Sequence, residues 1–334
     1  MKNKIYILLI TVIFIIYTGC NKNAANSDNN SASYKVGIAV INNHPALLEI
    51  EKGIIDELKA QNMNVLIDSQ NANNDANIIN AIASKFATDK KDLSIGIATP
   101  TAVALANSIK DRPVLFATVN DPIGAGLVDS LDKGKNNVTG LSDALPIKEH
   151  LKIYHSIYPF KKLGFIYNGA ERNSITMLKI TQEVCKEMGI ELLPITIYSS
   201  VEVNMAAESL VSRVDAFYCF TDNSIATAMS ALTDTAKQNK IPVFGGDITP
   251  TLNGGVVYAL GFSYYEMGRM TGRLIAEVLQ GKKAEELPIQ SLNDPKFYNK
   301  LLDLDTAKLL GITFSDELIN SAQYLIKDGK LITK

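Results

Sequence analysis

The sequence is poor in the residues that bind transition metals, with three cysteines and three histidines among 334 residues. The histidines, His44, His150 and His155, form no Cys/His cluster, so no metal site is predicted. A P-loop, a GxGxxG fingerprint and a Gly-x-Ser-x-Gly elbow are also missing, as is a recognisable nucleophile–base pair. These absences disfavour an enzyme, and we expect no cofactor. The formal net charge of −2 likewise disfavours nucleic acid as a partner.

Long hydrophobic runs are scarce too, and the one at the N-terminus is short. The run from Ile5 to Tyr17 is about 13 residues, whereas a helix needs about 20 apolar residues to span a bilayer. It follows a short basic start and precedes Thr18-Gly19-Cys20, which is the arrangement of a lipoprotein signal. We predict that residues 1–19 are a signal peptide and that Cys20 is lipidated. The expected location is the extracytoplasmic face of the cell membrane; the alternative is an uncleaved anchor with an incidental cysteine.

Residues 20–33 are small and polar, and such a segment cannot bury enough surface to fold. We interpret it as a flexible tether between the lipid and the globular part. The remaining cysteines, Cys185 and Cys219, lie in apolar contexts. They could pair in an oxidising compartment, but the context favours buried, unpaired thiols.

The rest of the chain alternates β-rich runs with helical stretches. Predicted strands are 35–41, 64–68, 93–98, 113–119, 162–168, 191–197, 216–220 and 242–246. Predicted helices are 45–61, 75–87, 101–109, 173–188, 201–211, 224–238 and 264–281. Near-continuous apolar strands between helices indicate parallel sheets covered on both faces. The rhythm restarts near residue 162, which predicts an α/β protein with two doubly wound lobes.

Polar residues recur just after the predicted strands, where open parallel sheets bind ligands. Hydroxyls at helix starts, beside free backbone N–H groups, suit an anion such as a carboxylate; the candidates are Thr101, Ser174 and Ser224. Carboxylates suit an ammonium group; the candidates are Asp121, Asp222 and Asp247. An α-amino acid carries both charges. Each of these residues alone is better explained as a helix cap or a turn former, and only the convergence of several such loops on one cleft favours a ligand site.

A series of motifs resembles a known family, that of ABC-transporter substrate-binding lipoproteins whose better-known members bind tryptophan or tyrosine. The resemblance covers residues 34 to 319 or so. The motifs, in order, are His44-Pro45-Ala46-Leu47, Ala98-Thr99-Pro100-Thr101-Ala102, Phe116 to Pro122, Asn137-Val138-Thr139-Gly140, Glu171-Arg172-Asn173-Ser174, Thr221-Asp222-Asn223 and Tyr264-Tyr265-Glu266-Met267-Gly268.

The resemblance implies a type I periplasmic-binding-protein fold, in which a three-crossover hinge joins the lobes. Lobe 1 would hold residues 34–142 plus about 253–286, and lobe 2 residues 143–252 plus about 287–334. It also implies a small ligand, an amino acid and most plausibly an aromatic one, delivered to an ABC permease with a cytoplasmic ATPase. The implied ligand-binding residues are His44, Thr99, Thr101, Asn120, Asp121, Glu171, Asn173, Ser174, Asp222, Asn223 and Asp247.

Two departures from the family pattern affect the identity of the ligand. Gly245-Gly246-Asp247 is richer in glycine than the acidic stretch expected there, and Asn42-Asn43 lacks an expected nearby glutamine. A purine-like or sugar solute therefore stays open beside an amino acid. A ligand-sensing receptor lipoprotein that signals to a membrane kinase or chemoreceptor is the alternative to an import role.

Overall fold

The computed structural model describes residues 33–292 and 297–334. The predicted signal peptide, Cys20 and the predicted tether up to residue 32 lie outside these residues. Across the described ranges, no helix combines the length and apolar character needed to cross a bilayer. The described chain forms two β-sheets with helices packed on them, as the alternating pattern predicts.

The first sheet is parallel throughout, with the spatial order β11-β5-β4-β3-β1-β2. Its strands are β1 (Tyr34–Val40), β2 (Val65–Asn71), β3 (Leu93–Ile97), β4 (Val114–Ala117), β5 (Val138–Ser142) and β11 (Gln290–Ser291). The central strands β3, β4 and β5 are buried along their whole length. Because helices cover both faces, such strands carry few polar side chains.

The second sheet has the order β14-β13-β12-β10-β9-β8-β6-β7. Its strands are β6 (Lys162–Asn168), β7 (Glu191–Ile197), β8 (Ala216–Cys219), β9 (Val243–Gly245), β10 (Tyr258–Phe262), β12 (Tyr298–Asp303), β13 (Tyr324–Lys327) and β14 (Lys330–Thr333). Pairing is parallel except between β10 and β12 and between β13 and β14. Cys185 and Cys219 are both buried and unpaired.

The helices follow the strands in both halves of the chain. They are α1 (Pro45–Ala60), α2 (Ala76–Thr88), α3 (Thr99–Ser108), α4 (Ile147–Ile157), α5 (Arg172–Met188), α6 (Val203–Leu210), α7 (Asn223–Thr227), α8 (Met229–Gln238), α9 (Tyr264–Leu279), α10 (Leu304–Leu309) and α11 (Asp316–Ser321). The helix predicted over 224–238 is two helices, because the chain breaks at Ala228. Strands β5 and β10 to β14 were absent from the sequence prediction.

The chain crosses between the two sheets three times, which confirms the predicted hinge. It leaves the first sheet after β5, returns after β10, and leaves again between β11 and β12. The predicted lobe boundaries near 253 and 287 differ from these positions. Strand β10 belongs to the second sheet because it pairs with β9 and β12, and β11 belongs to the first because it pairs with β5.

Helix α9 attaches the returning chain to the first lobe by packing closely along α1. A Cβ atom on Gly268 of α9 would lie 2.9 Å from the Cα atom of Gly53 on α1, so the two backbones touch. Beside this contact, buried Glu57 of α1 pairs with Arg269 and Arg273 of α9. The glycines thus set the distance between the helices, and the ion pairs border that contact.

We expect Gly268→Val to lower the free energy of unfolding by about 2 kcal/mol or more, because the added side chain overpacks the helix contact. Thermal or denaturant unfolding of residues 33–334 measures this change. Glu266→Val is the control, since Glu266 is exposed on the same helix and valine there overpacks no buried contact. Helix propensity alone would slightly stabilise Gly268→Val and destabilise Glu266→Val, because valine ranks between glutamate and glycine. Equal losses in both variants would contradict a role for the close contact.

Candidate functional site

A cavity lies between the lobes, where the carboxyl ends of strands from both sheets face each other. The cavity is small, and residues of both lobes line it. The first lobe and the crossovers supply His44, Leu47, Ala98, Thr99, Thr118, Asn120, Asp143 and Tyr264. The second lobe supplies Asn173, Thr221, Asp222, Asn223, Ala226 and Asp247. This is the edge of a parallel sheet at which ligands are expected.

Most of the ligand-binding residues predicted from the sequence line this cavity. They are His44, Thr99, Asn120, Asn173, Asp222, Asn223 and Asp247. They come from strand-end loops that are far apart in the chain. The two sheets bring them together because parallel strands end at a common edge.

Two predicted hydroxyls have partners within the protein instead of facing the cavity. The Oγ1 atom of Thr101 donates to the carbonyl oxygens of Ile97 at 2.7 Å and Ala98 at 2.9 Å. The Oγ atom of Ser174 donates to Asp222 Oδ2 at 2.7 Å. Both side chains are therefore placed to hold the loops that do line the cavity.

Two predicted acids are also absent from the cavity lining. Asp121 accepts a hydrogen bond from the backbone N–H of Gly124 at 2.8 Å and so closes a turn. Glu171 is buried behind the cavity, where it accepts from the side-chain amides of Asn173 and Asn223. Burial, together with the charge of Asp222, raises the pKa of Glu171 to about 8.

The most informative residue that the sequence prediction missed is Asp143. Asp143 directly follows β5. Because the sequence pattern does not predict that strand, it does not place Asp143 among the polar residues at strand ends. Tyr264, Thr118 and Thr221 were also left out of the predicted set. Of these, Thr221 immediately precedes the predicted pair Asp222-Asn223, so its position was recoverable from the same motif.

Asp143 and Asp247 make one end of the cavity acidic. Both are buried, and burial raises the pKa of each to about 7, with a further contribution to Asp143 from the charge of Asp247. Asp143 accepts from Asn120 Nδ2 at 2.9 Å, and Asp247 accepts from the Tyr264 hydroxyl and from the Thr249 N–H. None of the described residues that line the cavity is a lysine or an arginine. This end therefore favours a positively charged group.

Asp222 lines the cavity as well, but its carboxylate is already occupied. One oxygen accepts from the N–H groups of Ser224 and Ile225, which caps α7. The other accepts from Asn168 N and Ser174 Oγ. Because a carboxylate offers about four acceptor positions, Asp222 is arranged to shape the loop more than to bind a ligand.

The other part of the cavity presents neutral acceptors. His44 Nδ1 and Asn173 Oδ1 are buried there and have no hydrogen-bond partner in the protein. Burial lowers the pKa of His44 to about 4, so its imidazole is neutral at neutral pH. Buried polar atoms without a hydrogen-bond partner destabilise the folded protein. A ligand that donates hydrogen bonds to them would account for their presence.

Two lining residues have backbone conformations that side chains rarely adopt. Ala98 has φ 78° and ψ 159°, and Thr118 has φ 56°. Each follows a strand of the first sheet at the cavity. Such strain tends to collect at functional sites, where the surrounding structure holds it in place.

Hydrogen bonds join the lobes across the cleft. Asn120 Nδ2 lies 3.1 Å from Thr221 Oγ1, and Asn42 Nδ2 lies 3.0 Å from Thr227 Oγ1. The guanidinium of Arg172 contacts the carbonyl oxygen of Ala125 at 3.3 Å. The lobes are therefore closed on each other. Across the described ranges, no group of His, Cys, Asp and Glu side chains is arranged to hold a metal ion.

The known proteins and the family profile that resemble this chain match it over most of its length. The profile of the ABC transporter substrate binding protein family matches residues 35–326. A "Tyrosine-binding protein" from Clostridioides difficile (strain R20291) is 36% identical over 323 residues, which is 92% of each chain. A conserved domain protein from Vibrio cholerae has 33% identity and a TM-score of 0.84, covering 88% of this chain and 100% of its own.

Two further solved structures differ in state. A protein from Streptococcus pneumoniae in complex with L-Trp has 28% identity and a TM-score of 0.83, covering 88% of this chain and 100% of its own. A ligand-free, open substrate binding protein from Clostridium difficile has 33% identity but a TM-score of 0.67, covering 88% and 99%. The structure is thus closer to the L-Trp complex despite lower identity. The hydrogen bonds across the cleft hold this chain in a closed form, which differs from the open form of the ligand-free protein.

The raised pKa values of Asp143 and Asp247 make stability depend on pH. An ordinary aspartate has a pKa of 3.8, so between about pH 4 and pH 7 the folded chain holds protons that the unfolded chain has lost. Stability from these two groups therefore falls as pH rises through that window. The lowered pKa values of His44 and His150 act in the opposite sense, because their contribution is lost as pH falls below about 6.5.

We expect Asp247→Asn to gain stability relative to the wild type as pH rises from 4.5 to 7.5, by on the order of 2 kcal/mol. Thermal unfolding of the ligand-free proteins across this pH range measures the difference, in which the histidine contributions cancel. Asp132→Asn, at an exposed position, is the control and should follow the wild type. A difference for Asp247→Asn that is independent of pH would refute the assignment.

Proposed function

This chain belongs to the ABC transporter substrate binding protein family, and we propose that it captures an aromatic amino acid, tyrosine or tryptophan, for import. The family match confirms the prediction of a binding protein rather than an enzyme. The observation that carries the choice of ligand class is the acidic end of the cavity. Asp143 and Asp247 are buried together there, and none of the described lining residues is a lysine or an arginine that could neutralise them.

The ammonium group of an amino acid would compensate these carboxylates. Hydrogen bonds between charged partners are short and about twice as strong as neutral ones. An ammonium at this end would also favour the ionised form of both acids, which burial alone disfavours. A neutral sugar would leave the desolvation of the two carboxylates uncompensated.

The carboxylate of the ligand would be received by the start of α3. This helix begins at Thr99, directly beside the cavity, and no side chain caps it. Helix N-termini attract anions through free N–H groups and the helix dipole. The hydroxyl of Thr118 and the amide of Asn120 border the same region of the first lobe.

The side chain of the ligand would pack against the apolar lining. Leu47, Ala98 and Ala226 contribute small or aliphatic surfaces, and Tyr264 contributes an aromatic ring. Burial of a large apolar side chain stabilises a complex by about 1.5–3 kcal/mol. The tyrosine-binding relative and the structure in complex with L-Trp support an aromatic ligand.

We expect calorimetry of residues 33–334 to detect binding of L-tyrosine or L-tryptophan, and Asp143→Asn and Asp247→Asn each to weaken it at least about 10-fold. The N-acetylated amino acids should not bind, because they lack the ammonium. Asp132→Asn again serves as the control. Full affinity in both acid variants, or equal binding of the N-acetylated ligands, would argue against this site.

Delivery to a membrane permease with a cytoplasmic ATPase is part of the proposal, as is a lipid anchor at Cys20. Lipidation adds two acyl chains, and two chains anchor stably where one does not. The polar segment that follows Cys20 would give the receptor reach toward its permease. The support is the Thr18-Gly19-Cys20 sequence for the anchor and the family match for the permease.

For the anchor, we expect the full-length protein to incorporate a radiolabelled fatty acid and to sediment with membranes. Cys20→Ser should abolish both, because it removes the thiol that would be acylated. Cys185→Ser is the matched control, since its thiol is buried in the folded chain and should not be acylated. Membrane association that survives Cys20→Ser would favour an uncleaved apolar anchor instead.

A further inference from the structure

The two unpartnered acceptors in the cavity are not explained by the binding of an ammonium at the acidic end. His44 Nδ1 and Asn173 Oδ1 belong to side chains that are at least nine-tenths buried. They line the same cavity as Asp143 and Asp247 but are held by different loops. A different part of the ligand would therefore complete them.

A chain of hydrogen bonds fixes which nitrogen of His44 carries the proton. Asn223 Nδ2 donates to the buried carboxyl group of Glu171, which orients the amide. The Oδ1 atom of Asn223 then faces His44 Nε2 at 3.4 Å. A carbonyl oxygen only accepts, so this contact is a hydrogen bond when Nε2 holds the hydrogen, and in that tautomer Nδ1 of the neutral ring is an acceptor.

The same carboxyl group orients Asn173. The Nδ2 atom of Asn173 lies 3.4 Å from Glu171 Oε2, so its Oδ1 atom is directed elsewhere and has no protein partner. Glu171 thus determines the polarity of both cavity acceptors without lining the cavity itself. This accounts for its position in the structure better than direct contact with a ligand.

We propose that His44 Nδ1 and Asn173 Oδ1 select amino acids whose aromatic side chain carries a hydrogen-bond donor, a phenol O–H or an indole N–H. A phenol O–H or an indole N–H carries a single hydrogen, which these two acceptors would share. An aromatic side chain without a donor would leave both acceptors buried and unsatisfied, which weakens its binding. The inference rests on the proposed function, because it assigns the ammonium to the acidic end and the side chain to this one.

The selection is coupled to closure of the lobes. His44 is on the first lobe, whereas Asn223 and Glu171 are on the second. Only in the closed form does Asn223 hold the hydrogen on Nε2 and leave Nδ1 free to accept. His44 and Asn173 then reach the same ligand from opposite sides of the cleft.

The test compares ligand pairs that differ only in the donor. Calorimetry measures L-tyrosine against L-phenylalanine, and L-tryptophan against 3-benzothienylalanine, in which sulfur replaces the indole N–H. The wild type should prefer the donor-bearing member of at least one pair by about 10-fold or more. His44→Phe and Asn173→Leu should each reduce that preference about fivefold or more.

His155→Phe is the matched control, because His155 lies on α4, away from the cavity lining, and it should keep the wild-type preference. Thermal unfolding verifies that each variant folds. An unchanged preference in both His44→Phe and Asn173→Leu, or a wild type that does not distinguish the members of either pair, would overturn the inference while the proposed function stands. A wild type that binds no amino acid would refute the proposed function, and the inference with it.

A second measurement reports on the tautomer. In the ligand-bound protein, the ¹⁵N NMR signals of His44 should show a protonated Nε2 and an unprotonated Nδ1 that accepts a hydrogen bond. A purely structural role for His44 would not require this tautomer. A protonated Nδ1 would contradict the proposal even if the affinities of the variants changed.

Discussion

The close contact between α1 and α9 determines how the hinge and the cavity fit together. Gly53 and Gly268 let the two backbones touch, and the buried carboxylate of Glu57 pairs with arginines of α9 beside them. The N-terminal ends of these helices carry Leu47 and Tyr264 into the cavity. Helix α9 starts directly after the second crossover, so its attachment to α1 fixes where the chain re-enters the first lobe. The geometry of the site thus depends on a contact made outside it.

The cavity divides into parts with different electrostatics. Asp143 and Asp247 lie near the crossovers. Burial raises their pKa values, and a bound cation would stabilise their ionised forms. His44 and Asn173 present neutral acceptors that demand hydrogen-bond donors. A ligand that meets both demands must carry a positive charge and a donor in separate places. The closed form joins the lobes through amides, hydroxyls and the guanidinium of Arg172, whose partner is a carbonyl oxygen and not one of these two carboxylates.

Much of the fold and part of the site could be predicted from the sequence. Strands such as Lys162–Asn168 and Glu191–Ile197 agree with their predicted limits, because short apolar and β-branched runs indicate strands even where, as at Glu191–Ile197 on the edge of the second sheet, most of the strand is only partly buried or exposed. Strands β5 and β10 were missed, since Val138–Ser142 and Tyr258–Phe262 contain glycine or small polar residues that weaken the pattern. Because β5 was not predicted, Asp143 at its end was not predicted as a site residue either. Asp222 was predicted as a ligand contact, yet its acceptor positions are used by its own loop and by the segment from Asn168 to Ser174, which a sequence motif does not reveal.

What the sequence by itself determined is the alternation of strands and helices, and with it the edge at which polar loops gather. These follow from local periodicity and from the common direction of parallel strands. Only the tertiary structure decided which polar atoms remain free. Thr101, Ser174 and Asp222 carry hydroxyl or carboxylate groups like those of residues that line the cavity, but their neighbours satisfy them, whereas His44 Nδ1 and Asn173 Oδ1 are left without partners. Whether a polar atom has a hydrogen-bond partner depends on the distances between residues far apart in the chain. Those distances are set only when both lobes are folded and closed.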